Sequence, residues 1–213
     1  MSHDFVVQAP PDPDRLILLF HGVGSSPAAM GPFGATLARG LPSALVVAVG
    51  APQISDLGGG LQWFSVEGIS ESNRPGRVAA ALPGFAQIIT DWQTRSGVGP
   101  DRTVLAGFSQ GAIMALAALA LDPPVARDIV AVAGRFATLP DAAPLTSRVH
   151  LFHGVLDTVM SIHHAEQAAQ RLRHLGLTVS FDRFPGVGHA APPEVANRVV
   201  VRLLEADAAP PHS

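Results

Sequence analysis

The chain has 213 residues, of which 47% are hydrophobic and 15% are charged, and its formal net charge is −3. This composition indicates a globular protein with a large buried core and argues against a disordered chain. No cluster of Lys and Arg is available to follow a phosphate backbone, so nucleic acid is not an expected partner. The absence of cysteine excludes disulfides, thiolate metal ligands and a cysteine nucleophile.

The length fits one domain, which we predict to span residues 1–213 with a frayed tail from about residue 206. The longest apolar stretch, 112–121, is too short to cross a bilayer. Residues 1–5 lack the basic and apolar regions of a signal peptide. We therefore expect a cytoplasmic protein without an integral membrane segment.

Apolar runs and turn residues predict strands that alternate with helices along the chain. An edge strand is predicted at 5–8, because the prolines that follow it cannot donate hydrogen bonds to a central ladder. The first helix, at 28–39, is expected to be capped by Ser25 or Ser26. Further strands are predicted at 16–20, 45–49, 103–106, 129–133, 149–152 and 178–184, and further helices at 78–92, 112–121, 162–175 and 193–204. This alternation predicts a mostly parallel, doubly wound sheet with helices on both faces.

A G-x-S-x-G motif with Ser109 at its centre joins the strand at 103–106 to the helix that follows. Such a turn holds serine at a sharp corner, where Gly107 and Gly111 leave room that a Cβ would fill. The serine then lies at the amino end of a helix, where the dipole favours negative charge. We predict that Ser109 is a nucleophile, although a serine in an ordinary strand-to-helix turn would give the same string.

A nucleophilic serine needs a base and an acid, which in this type of fold follow it in chain order as Asp or Glu and then His. Asp157 comes shortly after the strand at 149–152, and His189 follows the last predicted strand. These two residues are the predicted acid and base. Asp182, which lies within a strand, is the weaker alternative for the acid.

The remaining histidines of the nine are assigned structural or solvated positions. His21 and His153 each precede a glycine at a strand end, where a structural hydrogen bond is expected. The others lie in the tails (His3 and His212), in a strand (His150), or on a helix where solvation is the simplest expectation (His163, His164 and His174).

Attack on a carbonyl also requires hydrogen-bond donors for the oxyanion. The backbone N–H groups of Val23 and Gln110 are the candidates, one in the early strand-to-helix turn and one directly after the serine. The glycines around Val23 could instead form only a tight turn. They lack a P-loop lysine and a third glycine in register, so phosphate binding is not expected.

The connection at 51–73 shows no convincing period, and a segment of this length without regular structure is usually functional. We expect it to line the site, with Trp63 and Phe64 contacting the substrate. The alternative for either ring is that it only anchors the loop to the body of the protein.

Five segments together resemble the phospholipase/carboxylesterase family, which includes the acyl-protein thioesterases, and most of all its bacterial YpfH-type esterases. They are Leu-Phe-His21-Gly-Val-Gly, Gln62-Trp-Phe-Ser-Val, Gly-Phe-Ser109-Gln-Gly, His153-Gly-Val-Leu-Asp157 and Gly188-His189. The resemblance implies a small α/β-hydrolase without a lid, a triad of Ser109, Asp157 and His189, and oxyanion donors at Val23 and Gln110. Ser25 departs from the family pattern, since many relatives carry an acidic residue there.

The expected activity is hydrolysis of short- to medium-chain acyl esters through an acyl-serine intermediate. Acyl thioester or lysophospholipid hydrolysis is a close variant, and a catalytically silent hydrolase fold that acts as a binding module is the alternative from another class. No cofactor or metal is expected, since His163 and His164 are adjacent and no H-E-x-x-H motif occurs. The expected partner is a small-molecule acyl ester or thioester, and the oligomeric state stays open.

Overall fold

A computed structural model describes residues 4–208 of the chain. Within this range the polypeptide forms nine strands and five α-helices. The strands are β1 (Phe5–Gln8), β2 (Arg15–Phe20), β3 (Ala44–Val49), β4 (Gln53–Ile54), β5 (Leu61–Gln62), β6 (Thr103–Phe108), β7 (Asp128–Val132), β8 (Arg148–Gly154) and β9 (Thr178–Phe184). The helices are α1 (Gly31–Gly40), α2 (Arg74–Ser96), α3 (Gln110–Ala117), α4 (His163–His174) and α5 (Pro193–Ala208).

Seven strands form one sheet in the order β1-β3-β2-β6-β7-β8-β9. All neighbouring pairs in it are parallel except β1 and β3, so the predicted edge strand and the mostly parallel sheet are both confirmed. The remaining two strands, β4 and β5, pair with each other as a small antiparallel hairpin within the segment 51–73. Segment 51–73 therefore contains some regular structure, although its sequence shows no convincing hydrophobic periodicity.

Helices cover both faces of the large sheet, as a doubly wound arrangement requires. Alternate residues of β2 point to opposite sides: Leu18 packs in the core under α2, α3 and α4, while Leu19 packs in the core under α1 and α5. Central parallel strands are buried on both faces, which explains why their sequences are continuous apolar runs. None of the helices within residues 4–208 is long and apolar enough to cross a membrane.

The start of the first helix differs from the prediction. A short 3₁₀ turn, Pro27–Met30, precedes α1, and the Ser26 side chain makes no capping hydrogen bond to it. Ser26 does occupy the N-cap position with Pro27 directly after it, so the predicted cap is right in position but lacks the side-chain hydrogen bond. The backbone carbonyl of Ser25 accepts a hydrogen bond from the N–H of Leu61 at 2.7 Å, which anchors the hairpin of β4 and β5.

The predicted frayed tail is also wrong for residues 206–208, which form the last turn of α5. Arg15 forms an ion pair with Asp207, and Arg148 contacts both Asp207 and the carbonyl of Ala206. These contacts hold the end of the helix against the sheet. The rest of the predicted tail, residues 209–213, lies outside the described residues.

Asp128 lies at the centre of a buried polar cluster at the amino end of β7. Its carboxylate accepts two hydrogen bonds of 2.7 Å from Arg148 and lies 3.1 Å from His150 Nε2. Burial alone would raise the pKa of Asp128, but the hydrogen bonds from His150 and Arg148 outweigh it and lower that pKa below its ordinary value of 3.8. The carboxylate is therefore ionised in the folded protein at neutral pH.

Asp128→Asn is expected to lower the free energy of unfolding at pH 7 by about 3 kcal/mol, because Arg148 loses its buried anionic partner and keeps only its contacts to Asp207 and to the carbonyl of Ala206. A carboxyl group whose pKa is lower in the folded than in the unfolded protein stabilises the fold at pH values above its unfolded-state pKa. This stabilisation is lost as the pH falls through the folded-state pKa. The difference between the variant and the wild type should therefore shrink below about pH 4. Urea unfolding at pH 7 and pH 3.5 measures this, and an equal difference at both values would contradict it.

Candidate active site

Ser109 occupies a sharp turn between β6 and α3 that only glycine neighbours permit. A Cβ on Gly107 would lie 2.3 Å from the backbone of Gly111, and a Cβ on Gly111 would lie 2.1 Å from the carbonyl oxygen of Phe20. Ser109 itself has φ 53° and ψ −115°, a strained conformation for a residue with a side chain. Its N–H donates to the carbonyl of Val132 at 3.0 Å, which fixes the turn to the neighbouring strand.

The structure brings the predicted nucleophile, base and acid into one chain of hydrogen bonds. His189 Nε2 lies 2.9 Å from Ser109 Oγ, and His189 Nδ1 lies 2.7 Å from Asp157 Oδ2. The three residues follow β6, β8 and β9, and the carboxyl ends of these parallel strands meet at one edge of the sheet. Asp182, the alternative acid, instead forms ion pairs with Arg198 and Arg202 of α5.

The carboxylate of Asp157 is held by donors on both oxygens. Its Oδ1 accepts hydrogen bonds from the backbone N–H groups of Val159 at 2.9 Å and Met160 at 2.8 Å. Its Oδ2 receives His189 and also lies 3.3 Å from His153 Nε2. Burial alone would raise the pKa of Asp157, but the hydrogen bonds from Met160 and His189 outweigh it, so the pKa is lowered. The carboxylate therefore stays charged at neutral pH.

The loops that carry the acid and the base pack as one unit. The N–H of Leu156 donates to the carbonyl of Val187 at 2.9 Å, which joins the loop after β8 to the loop after β9. A Cβ on Gly154 would lie 2.3 Å from the same carbonyl oxygen, so glycine is required for this close approach. The two loops therefore fix the separation of Asp157 and His189.

Two other histidines at strand ends make the structural hydrogen bonds that the sequence predicted. The N–H of Ala51 donates to His21 Nε2 at 3.2 Å, so His21 Nδ1 carries the proton and donates to the carbonyl of Gly22 at 2.7 Å. Burial lowers the pKa of His21, which keeps this ring neutral. His153 Nε2 lies 2.8 Å from the carbonyl of Met160 and donates to it.

A cavity of about 200 Å³ opens beside Ser109. One part of its wall is apolar and is formed by Phe64, Val66, Ile113, Val159 and Met160. Another part is polar and contains Arg74, Arg135 and His164. His164 is half-buried there, so the expectation that it is simply solvated is wrong, whereas the neighbouring His163, on a different face of the helix, is exposed.

The predicted oxyanion donors also border this cavity. Val23 lies in the turn after β2, and Gln110 is the first residue of α3. The first N–H groups of a helix have no partner within the helix, which leaves them available to a ligand. Both residues lie beside Ser109 in the cavity wall, so their assignment as oxyanion donors stays a prediction that this placement permits.

The two aromatic residues of segment 51–73 differ in position. Both are almost fully buried, at 2% and 3% exposure, but Phe64 lines the cavity, whereas Trp63 does not and packs edge-to-face against Phe20 and Phe85 with centroids 5.3 Å apart in both pairs. Its Nε1–H donates to the carbonyl of His21 at 2.9 Å. The prediction that Trp63 contacts the substrate is therefore corrected: this ring anchors the segment.

Sequence analysis missed the role of the Gln110 side chain. Its Oε1 accepts a hydrogen bond from the N–H of Trp63 at 2.8 Å, and its Nε2 donates to the carbonyl of Phe64 at 2.7 Å. These bonds tie segment 51–73 to the turn that carries Ser109. The signal available was a polar side chain at the start of an otherwise apolar helix. Arg74 and Arg135, also missed, gave no such signal because they lie far apart in the sequence.

Comparison with known proteins identifies the family of the chain. The model of the phospholipase/carboxylesterase family matches residues 1–201. The chain belongs to this family. It is 46% identical over 192 residues to esterase YpfH of Escherichia coli (strain K12), a match that covers 89% of this chain and 83% of the relative. It is 33% identical to acyl-protein thioesterase 1 of Gibberella zeae, over 49% of this chain and 48% of that protein.

Solved structures give the same result for the fold. The crystal structure of esterase PE8 superimposes with a TM-score of 0.84 at 28% identity, covering 96% of this chain and 98% of that one. The carboxylesterase of Bacillus cereus, at 16% identity, shares the fold with a TM-score of 0.81 over 97% of this chain and 95% of that one. The protein therefore has the α/β-hydrolase fold, and its family makes it a hydrolase of carboxylic ester bonds.

Trp63→Ala is expected to lower the free energy of unfolding by about 3–5 kcal/mol, because it removes a fully buried ring. Since the ring does not line the cavity, kcat/KM should fall by a similar factor for every acyl length. Thermal unfolding and an ester series from acetate to decanoate measure the two effects.

Phe64→Ala is the matched control, because Phe64 lies in the cavity wall and its loss should change the preference among acyl lengths. A length-dependent loss in Trp63→Ala with an unchanged melting temperature would contradict the anchoring role.

Proposed function

We propose that the protein is a single-domain serine carboxylesterase that hydrolyses short- to medium-chain acyl esters through an acyl-serine intermediate. The observation that carries the proposal is the hydrogen-bond chain from Ser109 Oγ through His189 to Asp157, with distances of 2.9 and 2.7 Å. This chain lies at the wall of a cavity, so a bound ester can reach the serine oxygen.

In the first half of the reaction, Ser109 Oγ attacks the carbonyl carbon while His189 Nε2 takes its proton. The Asp157 carboxylate accepts a hydrogen bond from His189 Nδ1, which keeps Nε2 free of a proton and able to act as the base. The same carboxylate stabilises the imidazolium that forms. The three residues therefore act as nucleophile, base and orienting acid.

Negative charge develops on the carbonyl oxygen as the tetrahedral intermediate forms. The N–H groups of Val23 and Gln110 are the proposed donors to it, and the amino end of α3 adds a favourable dipole. His189 then protonates the departing alcohol oxygen, which leaves an acyl group on Ser109.

In the second half, a water molecule attacks the acyl carbon and gives a proton to His189 Nε2. The tetrahedral intermediate collapses, Ser109 Oγ leaves, and the imidazolium returns the proton to it. The products are a carboxylic acid, an alcohol and the regenerated enzyme.

Cavity size and composition support the proposed acyl range. Phe64, Ile113 and Met160 provide apolar contacts, but a cavity of about 200 Å³ encloses only a short chain. Each buried methylene stabilises a complex by about 0.8 kcal/mol until the chain leaves the cavity. Activity should therefore rise over the first few carbons and then level off.

Hydrolysis of nitrophenyl esters and matched thioesters, together with labelling by a fluorophosphonate probe, tests the proposal. We expect labelling of Ser109 and hydrolysis of acetate to hexanoate esters without activation at a lipid interface. Faster hydrolysis of thioesters or lysophospholipids would assign the same chemistry to a different substrate. A folded wild type that neither labels nor hydrolyses any of them would identify a binding module instead.

A further inference from the structure

Two arginine side chains lie in the wall of the cavity that contains Ser109. Arg74 is the first residue of α2, and Arg135 lies in the loop after β7. Their side chains are only 17% and 14% exposed. Neither of them has a role in the proposed reaction, so the cavity holds two positive charges that ester hydrolysis itself does not require.

The ion pairs of both arginines within residues 4–208 go to one carboxylate, that of Glu71. Arg135 reaches it with two hydrogen bonds, of 3.0 Å and 2.6 Å, and Arg74 with one of 3.1 Å. The Glu71 side chain is 69% exposed, so solvent reaches this carboxylate, whereas both guanidiniums are largely buried. Two cations therefore share one exposed anion, which leaves an excess of positive charge at the cavity.

Arg74 also has an unused hydrogen-bond donor. Its Nε is buried and has no partner within the described residues. Buried polar groups nearly always have a hydrogen-bond partner, so such a group calls for an explanation. The guanidinium of Arg74 therefore keeps one N–H without an acceptor among the described residues, next to a cavity that other atoms of the residue line.

His164 provides a separate sign of the positive field. The pKa of this half-buried side chain is lowered, first by burial and then by the positive charge of Arg135. Glu71 acts in the opposite direction but does not reverse the shift. The charge of Arg135 therefore reaches the cavity wall despite its ion pair.

We propose that Arg74 and Arg135 bind a carboxylate of the substrate, so that the preferred esters carry a negative charge near the scissile bond. The guanidinium of Arg135 already holds the carboxylate of Glu71 with two N–H groups, and this fork geometry matches a planar carboxylate. Substrate can share or replace Glu71, which is largely solvated. This inference rests on the proposed esterase function and adds a substrate class to it.

The test compares charged and neutral esters of similar size in two arms. Monoethyl succinate against ethyl pentanoate places the carboxylate on the acyl side, and O-butyryl glycolate against propyl butyrate places it on the alcohol side. The readout is the ratio of kcat/KM for the charged ester over its neutral partner, measured by release of acid at constant pH. A general loss of activity cancels in this ratio.

In the wild type we expect the ratio to exceed about tenfold in one arm, and that arm identifies the position of the carboxylate. Arg135→Gln and Arg74→Gln should each lower that ratio by about tenfold, since each loses a charged hydrogen bond to the substrate. Arg95→Gln is the matched control, because Arg95 is an exposed residue of the same helix outside this cavity, and its ratio should equal that of the wild type.

Ratios near one in both arms, or ratios that Arg74→Gln and Arg135→Gln leave unchanged, would overturn the inference while the esterase function stands. A wild type that hydrolyses none of the four esters and does not react with the fluorophosphonate probe would overturn both proposals together. The two failures are therefore distinguishable.

Discussion

Ser109→Ala is expected to reduce kcat for ester hydrolysis by on the order of 10⁶-fold, because no acyl intermediate can form without the nucleophilic oxygen. The fold should persist. Ala133, which follows β7, has φ 48°, so this protein already accommodates an alanine at a positive φ close to the 53° of Ser109. Turnover of a nitrophenyl ester and the melting temperature, measured on the same preparation, separate loss of catalysis from loss of structure.

Ser161→Ala is the matched control, since Ser161 is an exposed serine that makes no contact with the triad. Its turnover should stay near that of the wild type. If Ser109→Ala kept more than a hundredth of the wild-type turnover, Ser109 would not be the nucleophile.

The sequence predicts the central sheet well for a physical reason. Strands buried on both faces are apolar along their length, so β2 from residue 16 onward and all of β3 appear as unbroken apolar runs. Chain order then allows the acid and the base to be chosen, because parallel strands bring their carboxyl ends to one edge. The proximity of Ser109, Asp157 and His189 follows from these two facts.

Side-chain directions in segment 51–73 could not be predicted in the same way. Outside regular structure no period decides which of two neighbouring rings faces the cavity, and here Phe64 does while Trp63 anchors the segment. The hydrogen bonds of the Gln110 side chain fix this choice, and they depend on the distance between two elements far apart in the chain.

Long-range ionic contacts could not be predicted from the sequence either. The end of α5 is held by Arg15 and Arg148, whose partner Asp207 lies in the segment predicted to be a frayed tail. Arg74 and Arg135 meet in one cavity only because the loop after β7 and the start of α2 lie at the same edge of the sheet. The order of the elements in the fold brings such residues together, and a local sequence pattern gives no information about that order.

Asp157→Asn is expected to lower kcat by up to about 10⁴-fold while changing stability little. The backbone N–H groups of Val159 and Met160 both donate to Oδ1, so the substituted amide should keep its oxygen there and turn its NH₂ group toward His189. An amide N–H at that position favours the imidazole tautomer with a proton on Nε2, which cannot accept the proton of Ser109.

Asp182→Asn is the matched control for this substitution, and we expect it to change stability and not turnover. Its carboxylate binds Arg198 and Arg202 on α5, so the variant should lose stability but keep kcat within a small factor of the wild type. Both substitutions replace a carboxylate by an amide of the same shape. A difference between the variants in turnover or stability therefore reflects the partners of each side chain. If Asp182→Asn lost more turnover than Asp157→Asn, the assignment of the acid would be wrong. Small and equal losses in both variants would instead indicate that packing orients His189. The ring of Phe108 supplies this packing, with its centroid 5.1 Å from that of His189.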